Sequence, residues 1–579
     1  MSKTKAIKVY NKPQEIRRYE RVIDIKDYLK VISKHQDRVL FSYFDKKRNL
    51  YDMTYAELHA TVMRTAAGLT RMGYAKKRVA IIGETSPDWV ASYLAVLATG
   101  GIVIPLDKEL TVDVIEGFME SAEADALIYS GSFNGKFENA MKNHPTLSLF
   151  LPIAPDEAEL ALSEKVTPLN SVRESGDAVI AEDGYEVPDV ANRDDIAEFL
   201  FTSGTTGTSK CVMLSQKNIF AAVTAAAATV DFNPDDTIVS LLPIHHTYEL
   251  ACMLAGMDYG MHIGINDSLT HVLKNLQIFK PTGLVLVPLY VYTFYKRIWA
   301  EAKKSGREKT LKLGVGAART LRSMGIDKRR ALFGEVLNSF GGRLEKIICG
   351  GAALNPKMID FFETLGISIY EGFGITECAP LVAVTPYYAR KYGSVGPAVP
   401  CCQIRIDVHD TGDHGYEEGE IQVKGDNVML GYYKDEKATE KAFTEDGWFR
   451  TGDVGYLDED NYCHITGRLK SVIVLENGKN VFPEEIEEYL GSIEQIAECV
   501  VVGRKDEETE AVSLVAVVFP DATKFPEETS AEDMEKAIYE KIVALNKTLP
   551  TYKHIKSVEL RDTEFEKTTS RKIRRHLVK

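Results

Sequence analysis

The sequence predicts an α/β protein with more than one domain, and three observations carry that expectation. Short runs rich in β-branched residues alternate with helical stretches: Val79 to Ile82 reads as a strand, 88–99 as a helix, and Ile102 to Ile104 and Ala126 to Tyr129 as strands again. Such alternation indicates βαβ units and a parallel sheet. The 579 residues exceed what one hydrophobic core holds, so at least two domains are expected. Near the end, strands at 498–503 and 513–519, a helix at 531–549 and a strand at 557–560 form a compact α+β unit of their own.

Composition narrows the function classes. Hydrophobic residues make up 45% and charged residues 27% of the chain, ordinary for a soluble globular protein. The formal charge of −14 argues against a nucleic acid as the main partner. Eight cysteines stand without a CxxC pair, which indicates neither a zinc site nor a disulfide framework; reduced thiols in a cytoplasmic enzyme are the expectation. The opening MSKTKAIKVYNKPQEIRR lacks the apolar core of a signal peptide. Trp89 to Leu106 is the longest uncharged run, but Ser92, Tyr93, Thr99, Gly100, Gly101 and Pro105 interrupt it. It reads as a buried helix, a Gly-Gly turn and a strand rather than a membrane span.

Taken in order, residues 38–52 read as a strand pair around the turn Asp45 to Asn49, and Thr54 with Glu57 forms a capping box that opens a helix. Residues 155–193 are acidic and weakly patterned, and read as a peripheral excursion. Then Ile196 to Phe201 ends a strand, Asn218 to Val230 reads as a buried helix, and between them runs Thr202-Ser203-Gly204-Thr205-Thr206-Gly207-Thr208-Ser209-Lys210. Glycines let backbone N–H groups approach an anion, hydroxyls donate further hydrogen bonds, and Lys210 adds a full positive charge. This is a loop built to hold phosphate. It is not a Walker loop, because Gly204 and Gly207 are three apart and Lys210 does not follow a glycine.

The string TSGTTGTSK resembles the phosphate loop of the adenylate-forming superfamily, which includes acyl-CoA synthetases, luciferases and the adenylation domains of peptide synthetases. Ser209 stands where that family usually has proline. The resemblance extends over residues 35–579, with the motifs in family order. Ile238 to Pro243 reads as a buried strand that ends in Ile244-His245-His246-Thr247-Tyr248-Glu249. The resemblance sets His245, His246 and Tyr248 beside the acid substrate; packing at a strand end explains each histidine equally well. The Leu-Pro-x-x-His-x-x-Glu form is similar to long-chain fatty acyl-CoA synthetases. So is Phe340 to Leu344 followed by Gly350 to Leu354, where Gly351, Ala352 and Ala353 are small enough for an adenine ring to lie against the backbone. Between these, Leu284 to Pro288 reads as a strand. The basic helical stretch 301–330 reads as a solvated face in preference to a membrane-surface patch.

Phe373, Gly374, Thr376 and Glu377 meet the family pattern aromatic-Gly-x-Thr-Glu. The resemblance implies that Phe373 packs on adenine, Thr376 bonds the α-phosphate and Glu377 holds Mg²⁺, a hard cation that takes few protein ligands. Gly393 to Pro397, Gly419 to Gly425 and Gly431-Tyr432-Tyr433 look like the family's β-rich subdomain. In Thr451-Gly452-Asp453 the resemblance makes Asp453 the ribose carboxylate, and Arg468 a second nucleotide contact. Lys470 matches the hinge between an ATP- and acid-binding domain, 1–467, and a mobile lid, 468–579. Asn480 to Glu487 opens a helix with proline and acids in its first turn. The closing Phe565 to Ile573 resembles Pro-Lys-Thr-x-Ser-Gly-Lys-Ile, with Glu566 and Arg571 in place of the proline and glycine. That makes Lys572 the catalytic lysine.

The implied architecture is a large N-terminal α/β domain of βαβ sheets with a β-rich subdomain, and a small C-terminal α+β domain on a hinge. The implied activity is ATP-dependent acid–thiol ligation with Mg²⁺: a carboxylic acid, by resemblance a long-chain fatty acid, forms acyl-AMP, which is passed to coenzyme A. Two other readings stay open, an enzyme that loads a separate carrier protein and a catalytically silent binding relative.

Overall fold

The computed structural model describes residues 22–190, 192–202, 209–412, 414–475, 480–505, 512–567 and 573–578. Two large sheets organise the N-terminal part. One has seven strands in the order Gly431–Tyr432, Lys210–Ser215, Ile196–Thr202, Ile102–Leu106, Arg78–Ile82, Ala126–Tyr129 and Leu149–Pro152. Its last five strands pair in parallel and the first two antiparallel. The other sheet has eight strands, with parallel Thr237–Ser240, His262–Ile265, Gly283–Leu286, Lys346–Gly350 and Ser368–Gly374 in its interior and antiparallel pairs at both edges. The βαβ reading therefore holds for both sheets.

The local signals act where the sequence puts them. Thr54 and Glu57 exchange both capping bonds, 2.7 and 3.2 Å, at the start of helix Tyr55–Arg71. Ser215 and Asn218 do the same for Gln216–Thr229, and Ser86 with Pro87 opens Pro87–Ala98. Pro87–Ala98 is buried all round, as expected for a helix without a polar face. With Gln216–Thr229 it belongs to one apolar cluster that draws on strands of both sheets, such as Val79 and Leu200 from one and Phe41 and Ile263 from the other.

Residues 155–193 are more than a peripheral excursion. They contain the helix Leu169–Glu182, which packs backbone to backbone on Tyr55–Arg71. A Cβ on Gly68 would lie 2.0 Å from the carbonyl oxygen of Val172, and one on Gly176 would lie 1.8 Å from that of Arg64. Glycine on both faces is what lets the helices approach this closely.

A four-stranded antiparallel sheet, Cys402–Thr411, Glu417–Gly425, Phe449–Leu457 and Cys463–Arg468, forms the β-rich subdomain. Gly431–Tyr432 is not part of it. These two residues pair with Val212 and Met213 on the edge of the seven-stranded sheet. Beyond the turn Leu469–Ser471, strands Ile496–Lys505, Val512–Pro520 and Ile555–Leu560 and helices Pro483–Leu490 and Ala531–Asn546 enclose a core of their own.

Candidate active site

In open α/β sheets, ligands bind outside the carboxyl ends of the parallel strands. Four of the predicted segments come after strands of the two sheets. The loop 203–208 follows Ile196–Thr202, the histidine pair follows Thr237–Ser240, Gly351 to Ala353 follow Lys346–Gly350 as exposed residues, and Thr376 follows Ser368–Gly374. Ser203, Gly204, Thr205, Thr206 and Gly207 lie outside the described residues, but the strands on either side fix where the loop leaves and returns. Thr202 and Lys210 are register partners, and the Thr202 hydroxyl donates to the Lys210 carbonyl at 3.4 Å.

Lys210 does not point away from the sheet unaccompanied. Its ammonium lies 4.3 Å from the centroid of the Tyr432 ring. The Tyr432 hydroxyl donates to Glu377 Oε1 at 2.9 Å, and the Met429 N–H donates to the Glu377 carbonyl at 2.8 Å. Burial, and then the Glu377 charge, push the Tyr432 hydroxyl well above the usual phenol range, so it remains a donor. Phe373 is buried. Gly374 is required because a Cβ there would lie 2.6 Å from the Pro380 carbonyl. The chain then makes the short turn Thr376–Cys378 that presents Thr376 and Glu377, both half-buried.

Asp453 and Arg468 are register partners on the β-rich sheet. Arg468 Nε donates to Asp453 Oδ1 at 2.8 Å, and Asp453 is 4% exposed. The thiol of Cys378, next to Glu377, is pushed up chiefly by burial, and also by the charges of Glu377 and Asp453. Lys470 sits in the turn Leu469–Ser471, directly after this strand.

The His245 and His246 rings stand 4.2 Å apart. His245 Nε2 is 3.5 Å from Asp107, which follows the strand Ile102–Leu106. Burial and then His246 nevertheless hold its pKa well down, so the imidazole is neutral and the contact is not an ion pair. The Tyr248 hydroxyl lies 3.2 Å from both the Leu286 and the Ile348 carbonyls, and so spans two neighbouring strands. Glu249 is fully buried, accepts the Ser240 hydroxyl at 2.5 Å, and is pushed up to about 8 by burial.

Lys572 also lies outside the described residues, together with 568–571; Lys567 and Ile573 on either side of that stretch are described. Lys567 and Ile573 form a bridge, and the Arg574 N–H donates to the Glu566 carbonyl at 2.8 Å. Lys567 pairs with Glu498, and Arg575 pairs with Glu487 on helix Pro483–Leu490.

The donor set suits magnesium. Among the described residues, no group of three or more His, Cys, Asp or Glu side chains could hold a metal ion. A single half-buried carboxylate, Glu377, is what Mg²⁺ uses when phosphates and water supply the rest. Sequence reasoning named Tyr432 only within a motif of the β-rich subdomain and did not name Met429; their ties to Glu377 come from the pairing of Gly431–Tyr432 with Lys210–Ser215, and a two-residue strand has no period to read.

A profile of the AMP-binding enzyme family matches residues 30–433, and one of the AMP-binding enzyme C-terminal domain matches 485–572. The chain belongs to the AMP-binding enzyme family. Among other AMP-binding enzymes, the long-chain-fatty-acid–CoA ligase FadD15 of Mycobacterium bovis is 29% identical over 472 residues, 78% of this chain and 75% of its own. Human long-chain-fatty-acid–CoA ligase 1 is 28% identical over 520 residues, 83% of this chain and 73% of its own. Two solved structures share the fold. The adenylation domain of a carboxylate reductase from Mycobacterium chelonae has a TM-score of 0.78 at 20% identity, over 96% of this chain and 89% of that one. ATP-bound MatB from Rhodopseudomonas palustris has 0.70 at 24%, over 96% and 98%.

Proposed function

We propose that this AMP-binding enzyme is an ATP-dependent acid–thiol ligase that makes acyl-AMP and then acyl-CoA, and that its acid is a long-chain fatty acid. The observation that supports the reading is the link from Lys210 through Tyr432 to Glu377, which ties the strand after the phosphate loop to the turn that carries the metal carboxylate. A free carboxylate is a poor acyl donor, and transfer to the α-phosphate of ATP gives it AMP as leaving group. Lys210 and the loop 202–208 take the β- and γ-phosphates, Thr376 the α-phosphate, and Asp453 and Arg468 the ribose end. Phe373 and Gly351 to Ala353 border the adenine. Glu377 would hold Mg²⁺, which supplies charge neutralisation on the phosphates. Lys572 offsets the charge between the substrate carboxylate and the α-phosphate. His245, His246 and Tyr248 line the acid side. The domain boundary is assigned at 467/468, with Lys470 as pivot.

The long-chain assignment rests on the names of the relatives and on the Leu242-Pro243…His246…Glu249 pattern. Each buried methylene contributes about 0.8 kcal/mol, roughly fourfold in kcat/KM, so activity should climb steeply with chain length. A flat profile from short to long acids, or a preference for aromatic acids, rejects the assignment. Product mass with coenzyme A or a carrier protein as acceptor decides between those thiols, and absence of pyrophosphate release with every acid identifies a silent binder.

Among the described residues, no helix is long and apolar enough to cross a membrane. For peripheral membrane contact, the surface of suitable chemistry is 301–330. There ten basic residues stand against three acids, and Leu313 and Met324 are exposed. Ion pairs such as Arg319–Asp360 and Lys312–Glu308 favour a solvated face. Co-sedimentation with anionic vesicles distinguishes the two.

A further inference from the structure

We propose that Tyr432 is a positioning residue that couples the two phosphate-handling groups of the site. Its hydroxyl fixes the Glu377 carboxylate for the metal, and its ring holds the Lys210 ammonium within reach of the nucleotide. The metal half of the proposal rests on the ligase reading; the contacts do not.

Tyr432 is 6% exposed and held on both sides. Its backbone pairs with Val212 on the strand that Lys210 opens, and its N–H donates to Thr439 Oγ1 at 2.9 Å. Neighbouring residues repeat the tie: Leu430 N–H donates to the Met213 carbonyl, Tyr433 N–H to that of Cys211, and Met429 N–H to that of Glu377. The segment 429–433 is thus a splint between the phosphate-loop strand and the turn that carries Glu377. At its centre, one side chain touches both functional groups. The hydroxyl donates to Glu377 Oε1 at 2.9 Å, and the ring face lies 4.3 Å from Lys210 Nζ.

The chemistry of these contacts has a direction. A phenol that donates to one carboxylate oxygen fixes the rotation of the carboxylate, so the second oxygen is presented in one orientation. Partners that orient a metal ligand in this way typically change metal affinity about 10–100-fold when removed. An ammonium over an aromatic face is attracted to it, but more weakly than to phosphate, so the ring retains Lys210 without competing with a triphosphate.

Two variants separate the two contacts. Tyr432→Phe keeps the ring and removes the hydroxyl; Tyr432→Leu removes both. The probes are Mn²⁺ binding to the enzyme with a non-hydrolysable ATP analogue, read by electron paramagnetic resonance, and binding of that analogue in EDTA, read by calorimetry. Tyr432→Phe is expected to weaken Mn²⁺ binding about 10–100-fold and to leave metal-free analogue binding within about twofold. Tyr432→Leu should weaken both, the second roughly threefold or more. In a Glu377→Gln background, the effect of Tyr432→Phe on Mn²⁺ should vanish, which a merely structural role would not produce. Wild-type Mn²⁺ affinity in Tyr432→Phe, with the fold confirmed by its unfolding midpoint, overturns the proposal and leaves the ligase reading standing. A wild-type chain that binds neither analogue nor Mn²⁺ overturns both.

Discussion

Replacing Asp453 with Asn tests the nucleotide assignment while barely disturbing the fold. Asp453 is 4% exposed and accepts Arg468 Nε at 2.8 Å. The Arg468 side chain is 47% exposed, so water screens the pair and its loss should cost about 1 kcal/mol of stability or less. The unfolding midpoint should therefore fall by no more than about 2–4 °C. Nucleotide binding should respond far more. A carboxylate can accept both hydroxyls of a ribose diol, whereas Asn keeps one acceptor and turns the other position into a donor. One charge-assisted bond is lost outright, and such bonds are worth about 1.5–3 kcal/mol each. Affinity for ATP should drop about 10- to 150-fold on that figure. The assay is calorimetric binding of ATP and of 2′,3′-dideoxy-ATP to both proteins. The wild type should discriminate against the dideoxy nucleotide by at least that factor, and the variant should discriminate at least about 10-fold less, because Asn keeps one acceptor for the diol. A folded Asp453→Asn protein that discriminates as strongly as the wild type would refute the ribose assignment.

The other predictions separate the two half-reactions and test one buried acid. Lys572→Ala should lower acid-dependent pyrophosphate release by at least about 10²-fold and spare thioester formation from supplied acyl-AMP; wild-type release would place the catalytic lysine elsewhere. Lys470→Pro should keep adenylation and lose transfer to coenzyme A, because proline fixes φ at the proposed pivot; equal loss in both steps would mean a damaged fold. Glu249 is about 8 in the folded protein against an ordinary value near 4.5. The folded state thus binds more protons between those values, and stability falls as pH rises through that window. Glu249→Gln should remove that slope and gain on the order of 4 kcal/mol over wild type at pH 8 relative to pH 5. Parallel pH profiles of the unfolding midpoint would contradict it.

How much of this was legible in the sequence depended on range. Capping at Thr54 and Glu57, the buried helix after Pro87 and the strand before Thr202 are set by neighbours a few residues away, and they lie where the sequence put them. The helix Leu169–Glu182 was not legible, because what seats it is Gly176 against a helix about a hundred residues earlier. Tyr432 escaped for the same reason. Its motif sits among β-rich segments in the chain, yet its partners are Val212, Lys210 and Glu377, brought together only by the edge of another sheet. His245 could be named from its strand end. That Asp107 stands opposite it, and that burial keeps the ring neutral, required the sheet order.

The most direct test of the central claim is a product balance on the full chain with ATP, Mg²⁺, a long-chain fatty acid and coenzyme A, read by mass spectrometry and phosphorus NMR. The ligase reading predicts acyl-AMP without coenzyme A, acyl-CoA with it, and one AMP and one pyrophosphate for each acyl-CoA formed. ADP and inorganic phosphate in their place, or nucleotide turnover that does not depend on the acid, would contradict it.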